Sequence, residues 1–226
     1  MCGLLSPAQN PAPGASFAVP SFAVQYNPQL EVSSAPDLVR SLHAAFAEGT
    51  AHPQGVSNCA QLLDQRRDPQ KTGASAREIG EQRSTLARCL VLDELRRARP
   101  ARVSHLHKLP WDKKILPLLP PRLAITVSAE SERAAARASR RGQSWLQFDP
   151  SIHAAAKGAE QIEVTGQGFR EVLILWGRGD LNGDGTEDLL VQSLDTLTEG
   201  SYRNTRLFVL TRRTAHGRLS LLRSLL

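Results

Sequence analysis

Asp180-Leu181-Asn182-Gly183-Asp184-Gly185-Thr186-Glu187-Asp188 is the stretch on which the reading of this chain turns. Asp180, Asn182 and Asp184 put three side-chain oxygens at alternate positions, and Gly183 and Gly185 let the backbone curl without a Cβ clash. Calcium is a hard cation that takes about six to eight oxygen ligands. The Thr186 carbonyl and the Asp188 carboxylate complete such a set, so Asp180, Asn182, Asp184, Thr186 and Asp188 are the expected ligands of one calcium ion. An EF-hand would need an acidic ligand at the twelfth position, where Val191 stands inside Leu189-Leu190-Val191. The loop therefore leads into a strand, not into a ligand-bearing helix. The alternative is a turn of Asn182-Gly183 and Asp184-Gly185 without an ion.

Outward from the loop, the apolar period is two. Strands are expected at 169–177 before it and at 187–194, 205–212 and 218–223 after it, with further strands at 144–148 and 160–165. No repeat of this unit is visible. Upstream of residue 143 the pattern is helical. Pro36, Leu38, Leu42, Phe46 and Gly49 predict a helix over 36–49, and Ser57 opens another over 57–67. Ser75 with Glu78 has the form of a capping box for a helix over 75–98, which ends in Arg96, Arg97 and Arg99 before Pro100. Residues 103–121 read as irregular, 122–127 as a strand, and Ser128 caps a helix over 129–141. The fold class is α+β: a helical N-terminal part containing a helix hairpin (36–142), then an antiparallel sheet carrying the calcium loop (143–226).

Residues 1–35 hold five prolines, one acid and no Lys or Arg, a composition that predicts a flexible tether, with a short edge strand near 16–26 as its one structured piece. Met1-Cys2-Gly3 has the form of a lipoprotein from which the signal has been removed and to which a start Met has been added. On that reading Cys2 is the lipid anchor; otherwise it is a free thiol. Cys59 and Cys89 fall at similar heights on two antiparallel helices and are expected to form a disulfide, the alternative being two buried thiols in a reducing compartment. A bridge and an anchor both require export, so the expected location is the bacterial periplasm, on the membrane only through Cys2.

The loop and its flanking strands, Val172–Trp176 before it and Asp188–Val191 after it, with Leu207–Leu210 as a third strand, resemble the FG-GAP/VCBS type of calcium repeat over about 169–213. That resemblance implies a calcium-stapled antiparallel unit. Propellers built from such repeats need several blades and only one unit is present here, so a single sheet joined to the helical part is expected. Arg178-Gly179-Asp180 spells an integrin-recognition tripeptide, but Asp180 is committed to the metal.

No GxSxG, P-loop, HExxH or Cys–His signature occurs, so no enzyme is expected, although Glu160, Glu163 and Glu171 could include an acid–base pair. His105 and His107 have no third ligand nearby and read as surface or packing residues. The net charge of +6 comes from 23 Arg and 5 Lys spread along the chain rather than gathered with aromatics on one element, which argues against a nucleic-acid ligand. An exported, braced domain without a catalytic set is expected to act by contact. In kind, rather than by any motif, the chain is similar to the periplasmic lipoprotein immunity proteins that accompany type VI secretion toxins. That likeness implies a secreted toxin effector as its protein partner. Candidate contacts are Arg133, Arg137, Arg140 and Arg141 on one helix, and Glu199, Tyr202 and Arg203 in a loop taken to lie beside the calcium site. A calcium-dependent envelope or adhesion module is the competing reading.

Overall fold

The computed structural model describes residues 21–65, 75–106, 109–200 and 202–226. The expected anchor Cys2, tether residues 1–20 and His107 lie outside them. The fold is α+β. Seven antiparallel strands form one sheet: β1 (Gln25–Tyr26), β2 (His153–Gly158), β3 (Gln161–Gly166), β4 (Phe169–Gly179), β5 (Asp188–Leu197), β6 (Arg203–Thr211) and β7 (Ser220–Ser224). Strands β2 to β7 follow one another as a meander. β4 outruns β3, which pairs with it only as far as Ile174, and β1 takes up the remaining edge through Gln25 opposite Arg178 and Tyr26 opposite Gly177. A side chain at Gly177 would put its Cβ 2.6 Å from the Gln25 carbonyl oxygen and 2.6 Å from Leu95 Cδ2, so glycine is required for this close approach.

Both faces of the sheet centre are buried. Leu189, Val191, Phe208 and Leu210 point to one side, while Leu190, Leu207 and Val209 point to the other. The first face is covered by residues of the long segment between the helices and β2, chiefly Leu106, Trp111, Ile115, Leu119, Leu123 and Trp145. The second is covered by α1 (Ala35–His43), α2 (Cys59–Gln65) and α3 (Ala76–Arg97), through Leu38, Leu42, Leu62, Val91, Leu92 and Leu95. Burial on both sides explains why β5 and β6 carry near-continuous apolar runs. The stretch 36–142 is therefore divided between the two faces and does not stand as a separate helical body.

Local chemistry sets the helix starts. The Ser34 side chain accepts from the Asp37 amide at the head of α1, with Pro36 in the first turn. Ser75 and Glu78 close the capping box of α3 that their spacing predicts. Cys59 and Cys89 are bonded, with S–S 2.03 Å and Cα atoms 5.0 Å apart, which ties α2 to α3. Ser128 caps α4 (Ala129–Arg140), which turns Ala135 and Ala138 inward.

Several expectations are corrected. Residues 21–35 are packed: besides β1, Phe22 pairs with Ala101, Asn27 is buried with its Nδ2 donating to the Leu175 carbonyl at 2.8 Å, and Leu30 enters the core. Helix α1 stops at His43, because the Phe46 amide donates to the Ser57 carbonyl at 2.7 Å and Ala45 bridges to Asn58. The strand expected at 122–127 does not form. Pro120 and Pro121 open a 3-10 turn over Pro121–Leu123, and the Leu123 and Ala124 carbonyls are taken by Arg206. The strand expected at 144–148 is a single helical turn, α5 (Trp145–Phe148), started by a Ser144–Gln147 capping box.

Candidate functional site

The loop between β4 and β5 is wound on its own carboxylates. Asp180 Oδ1 accepts from the Gly183 amide at 2.6 Å and Oδ2 from the Gly185 amide at 2.9 Å. Asn182 Oδ1 accepts from the Asp184 amide at 2.9 Å, and Asp184 Oδ1 from the Thr186 amide at 2.7 Å. Gly183 and Gly185 sit at φ of 85° and 84°, the left-handed region that lets each turn close. Asp180 and Asp188 are buried, Thr186 is half-buried, and Asn182 and Asp184 are exposed. The five expected ligand residues therefore share one tight loop, with two carboxylates at its floor.

Asp188 is the decisive group. It is fully buried at the foot of β5, and its Oδ2 accepts from the Leu181 amide at 3.2 Å. Its Oδ1 is buried with no hydrogen-bond partner among the described residues. The Thr211 hydroxyl, opposite on β6, favours the charged form without meeting hydrogen-bond geometry, and it too has no partner. Burial pushes the Asp188 carboxyl up to about 6, against the Thr211 hydroxyl and Leu181 amide, with Asp184 and Asp180 adding to the rise. Desolvation also works against ionisation of Asp184. The Thr186 amide, Asn182 and Arg213 outweigh it and hold that carboxyl below its usual range. Leaving a buried carboxylate oxygen unpaired costs more than the roughly 1–3 kcal/mol of a neutral group.

Cations stand close by, yet they do not quench the loop. Arg102 lies over Gly185, Arg213 is near Asp184, and Arg223 donates to the Leu181 carbonyl at 2.9 Å. Among the described residues none of Asp180, Asp184 and Asp188 forms an ion pair. No three His, Cys, Asp or Glu side chains among these residues are gathered as a metal cluster. Here the donors include Asn182 and a carbonyl, and Asp180 spends both oxygens on amides. One orphaned buried oxygen, in a run of carboxylates that are hydrogen-bonded but form no ion pair among the described residues, fits a divalent cation, which Asp180, Asn182, Asp184, the Thr186 carbonyl and Asp188 would hold.

The chain matches no family model, no curated protein and no solved structure.

A second buried polar group was not legible in the sequence. On the face of the sheet opposite α1–α3, Arg206 lies beside Asp195, 2.7 Å from Nε to Oδ2, and beside Glu171, 3.2 Å from an Nη to Oε1. Ser193 donates to Glu171 at 2.7 Å and also contacts Asp195. Burial raises the Glu171 carboxyl to about 8, opposed by Arg206 and reinforced by Asp195. Cross-strand register brings these residues together, since Glu171 faces Asp195 and Ser193 faces Arg206. Of the acid–base pair considered among Glu160, Glu163 and Glu171, Glu163 and Glu171 are not brought together. Glu163 faces away from Glu171, paired with Lys157 and Arg170, while Glu171 shares the buried side with Val164.

The expected contact residues are on two separate surfaces. Arg133, Arg137 and Arg140 are exposed on α4, opposite its buried Ala135 and Ala138, and Arg141, exposed as well, is its C-cap. Glu199 and Arg203 are exposed and Tyr202 is half-buried, its phenol raised first by burial and then by Asp195. Their loop is not beside the calcium-type loop. β5 carries the chain from Asp188 to Leu197 between them, about 30 Å at the rise of a strand. A groove of about 920 Å³ lies among α1, α2, α3 and Leu225–Leu226, and no residue of loop 180–188 lines it.

Proposed function

We propose that this chain is an exported, calcium-stapled binding domain that works by contact with a protein partner, not by catalysis. The observation that carries the reading is the buried, unpartnered Asp188 Oδ1 at the floor of a loop whose carboxylates nearby arginines leave unpaired. A calcium ion would give that oxygen its partner and join β4 to β5, as the resemblance to the FG-GAP/VCBS repeat implies. The Cys59–Cys89 bridge supports an oxidising compartment, because such bonds persist outside the reducing cytosol. On this reading α2 and α3 form a helix hairpin closed by the bridge, and Cys2 carries a lipid at the end of the N-terminal segment.

The partner we propose is a secreted toxin enzyme, neutralised in the periplasm. Calcium and the disulfide pre-organise the domain, and a rigid surface loses less entropy on binding. The exposed arginines of α4 suit an acidic partner face, and the loop of Glu199, Tyr202 and Arg203 offers a second contact. The test is co-purification with the product of the neighbouring gene. A stable complex that suppresses the toxicity of that product supports the reading, with charge reversal at Arg137 and Arg140 weakening it at least tenfold. Protection without a complex would overturn it, and calcium-dependent attachment to envelope material with no toxin partner would favour an adhesion module.

A further inference from the structure

The loop is clasped from outside by a strap, residues 99–106, that runs from the end of α3 into the core on the other face of the sheet. Five main-chain hydrogen bonds join them. Arg99 and Asp180 exchange amide and carbonyl at 3.0 and 2.8 Å, the Gly185 carbonyl accepts from Arg102 at 2.8 Å and Val103 at 3.0 Å, and the Glu187 amide donates to Val103 at 2.8 Å. Glu187, which is buried and was not among the expected site residues, accepts from the Ser104 hydroxyl, and Ser104 Oγ in turn accepts from the Leu106 amide at 3.0 Å. Little else holds the middle of the strap: Arg99, Pro100, Arg102 and Val103 are exposed, and only Ala101 is buried between Arg99 and His105. On its other edge Ala101 pairs with Phe22 through bonds of 2.7 and 2.9 Å, at the point where the N-terminal segment joins the fold.

We propose that cation occupancy of loop 180–188 governs docking of the 99–106 strap and, through Ala101, of residues 21–24. The proposal rests on the calcium reading given above. Without the ion, the buried Asp188 oxygen has no partner and Asp184 and Asp180 act against its charge, so the loop loosens and takes with it the carbonyls and amides on which the strap depends. With the ion, the loop is fixed, the strap closes, and Phe22 has a strand to pair with. Calcium would then decide how firmly the root of the N-terminal segment is held. Coupling of this kind is reciprocal, so a loosened strap must weaken the ion.

The experiment is amide hydrogen exchange of the full chain with calcium and with a chelator, beside calorimetric titration with calcium. The amides of Phe22, Ala101, Val103 and Glu187 should exchange at least about tenfold more slowly when calcium is bound, while Leu190 and Val209 at the sheet centre hold steady. Ser104→Ala should lower calcium affinity by about fivefold. Calcium binding by calorimetry with unchanged strap exchange, or with equal affinity in Ser104→Ala, overturns the coupling and leaves the site standing. No calorimetric binding at all overturns the site itself, and the coupling with it.

Discussion

Glu171 shows how one side chain can set a pH dependence. It is fully buried, and its carboxyl is raised from 4.5 to about 8, chiefly by burial. The folded chain thus holds this proton more tightly than the unfolded chain. The associated stability is complete below about pH 4.5 and falls as pH rises toward 8. Urea unfolding of the wild type should therefore lose stability from this group between pH 5 and 8. Glu171→Gln, which keeps the shape and an acceptor for Ser193, should flatten that loss; an identical slope in both proteins would rule out Glu171 as its source. Asp188 is the other residue whose character lies in its burial. The order of Asp, Asn and Gly along 180–188 was enough to make it an expected ligand. That its Oδ1 would be sealed and unpartnered depends on α3, the strap and β6 closing around the loop, which no local pattern encodes.

At the scale of elements, α2 and α3 are held by the Cys59–Cys89 bridge across a separation of 30 residues. Cross-linking a loop of that length stabilises by about 3–4 kcal/mol on the chain-entropy account. Replacing both cysteines by Ser should lower the unfolding free energy by at least that much, since both positions are buried and prefer apolar groups. A fall of less than about 1 kcal/mol would show that the bridge is dispensable. Strands β3 to β7 were legible because each is a short apolar run, alternating in β3 and near-continuous in β5 and β6, and a glycine marks each turn between them. β2 and α5 were not. β2 is largely alanine and carries no apolar alternation, so only pairing with β3 makes it a strand. The turn of α5 hid behind its aromatics, and its Ser144–Gln147 box was the missed signal. β1 answers to the short edge strand expected near 16–26, and its place at Gln25–Tyr26 is set by the edge that β4 leaves where it outruns β3.

Across the whole molecule, one sheet separates two cores, and the loop at the β4–β5 turn touches the elements that close both. An ion there would act on the entire fold, because a ligand that binds only the native state stabilises it by mass action. At a free concentration about 100 times the dissociation constant that amounts to roughly 2.7 kcal/mol. For a chain of 226 residues this corresponds to a rise in Tm of about 5–10 °C. The direct measurement is thermal unfolding of the intact chain in calcium and in EDTA, with Asp184→Ala alongside. The account predicts a calcium-dependent rise of that size in the wild type and none in Asp184→Ala; wild-type protein melting at the same temperature in calcium and in EDTA would contradict it.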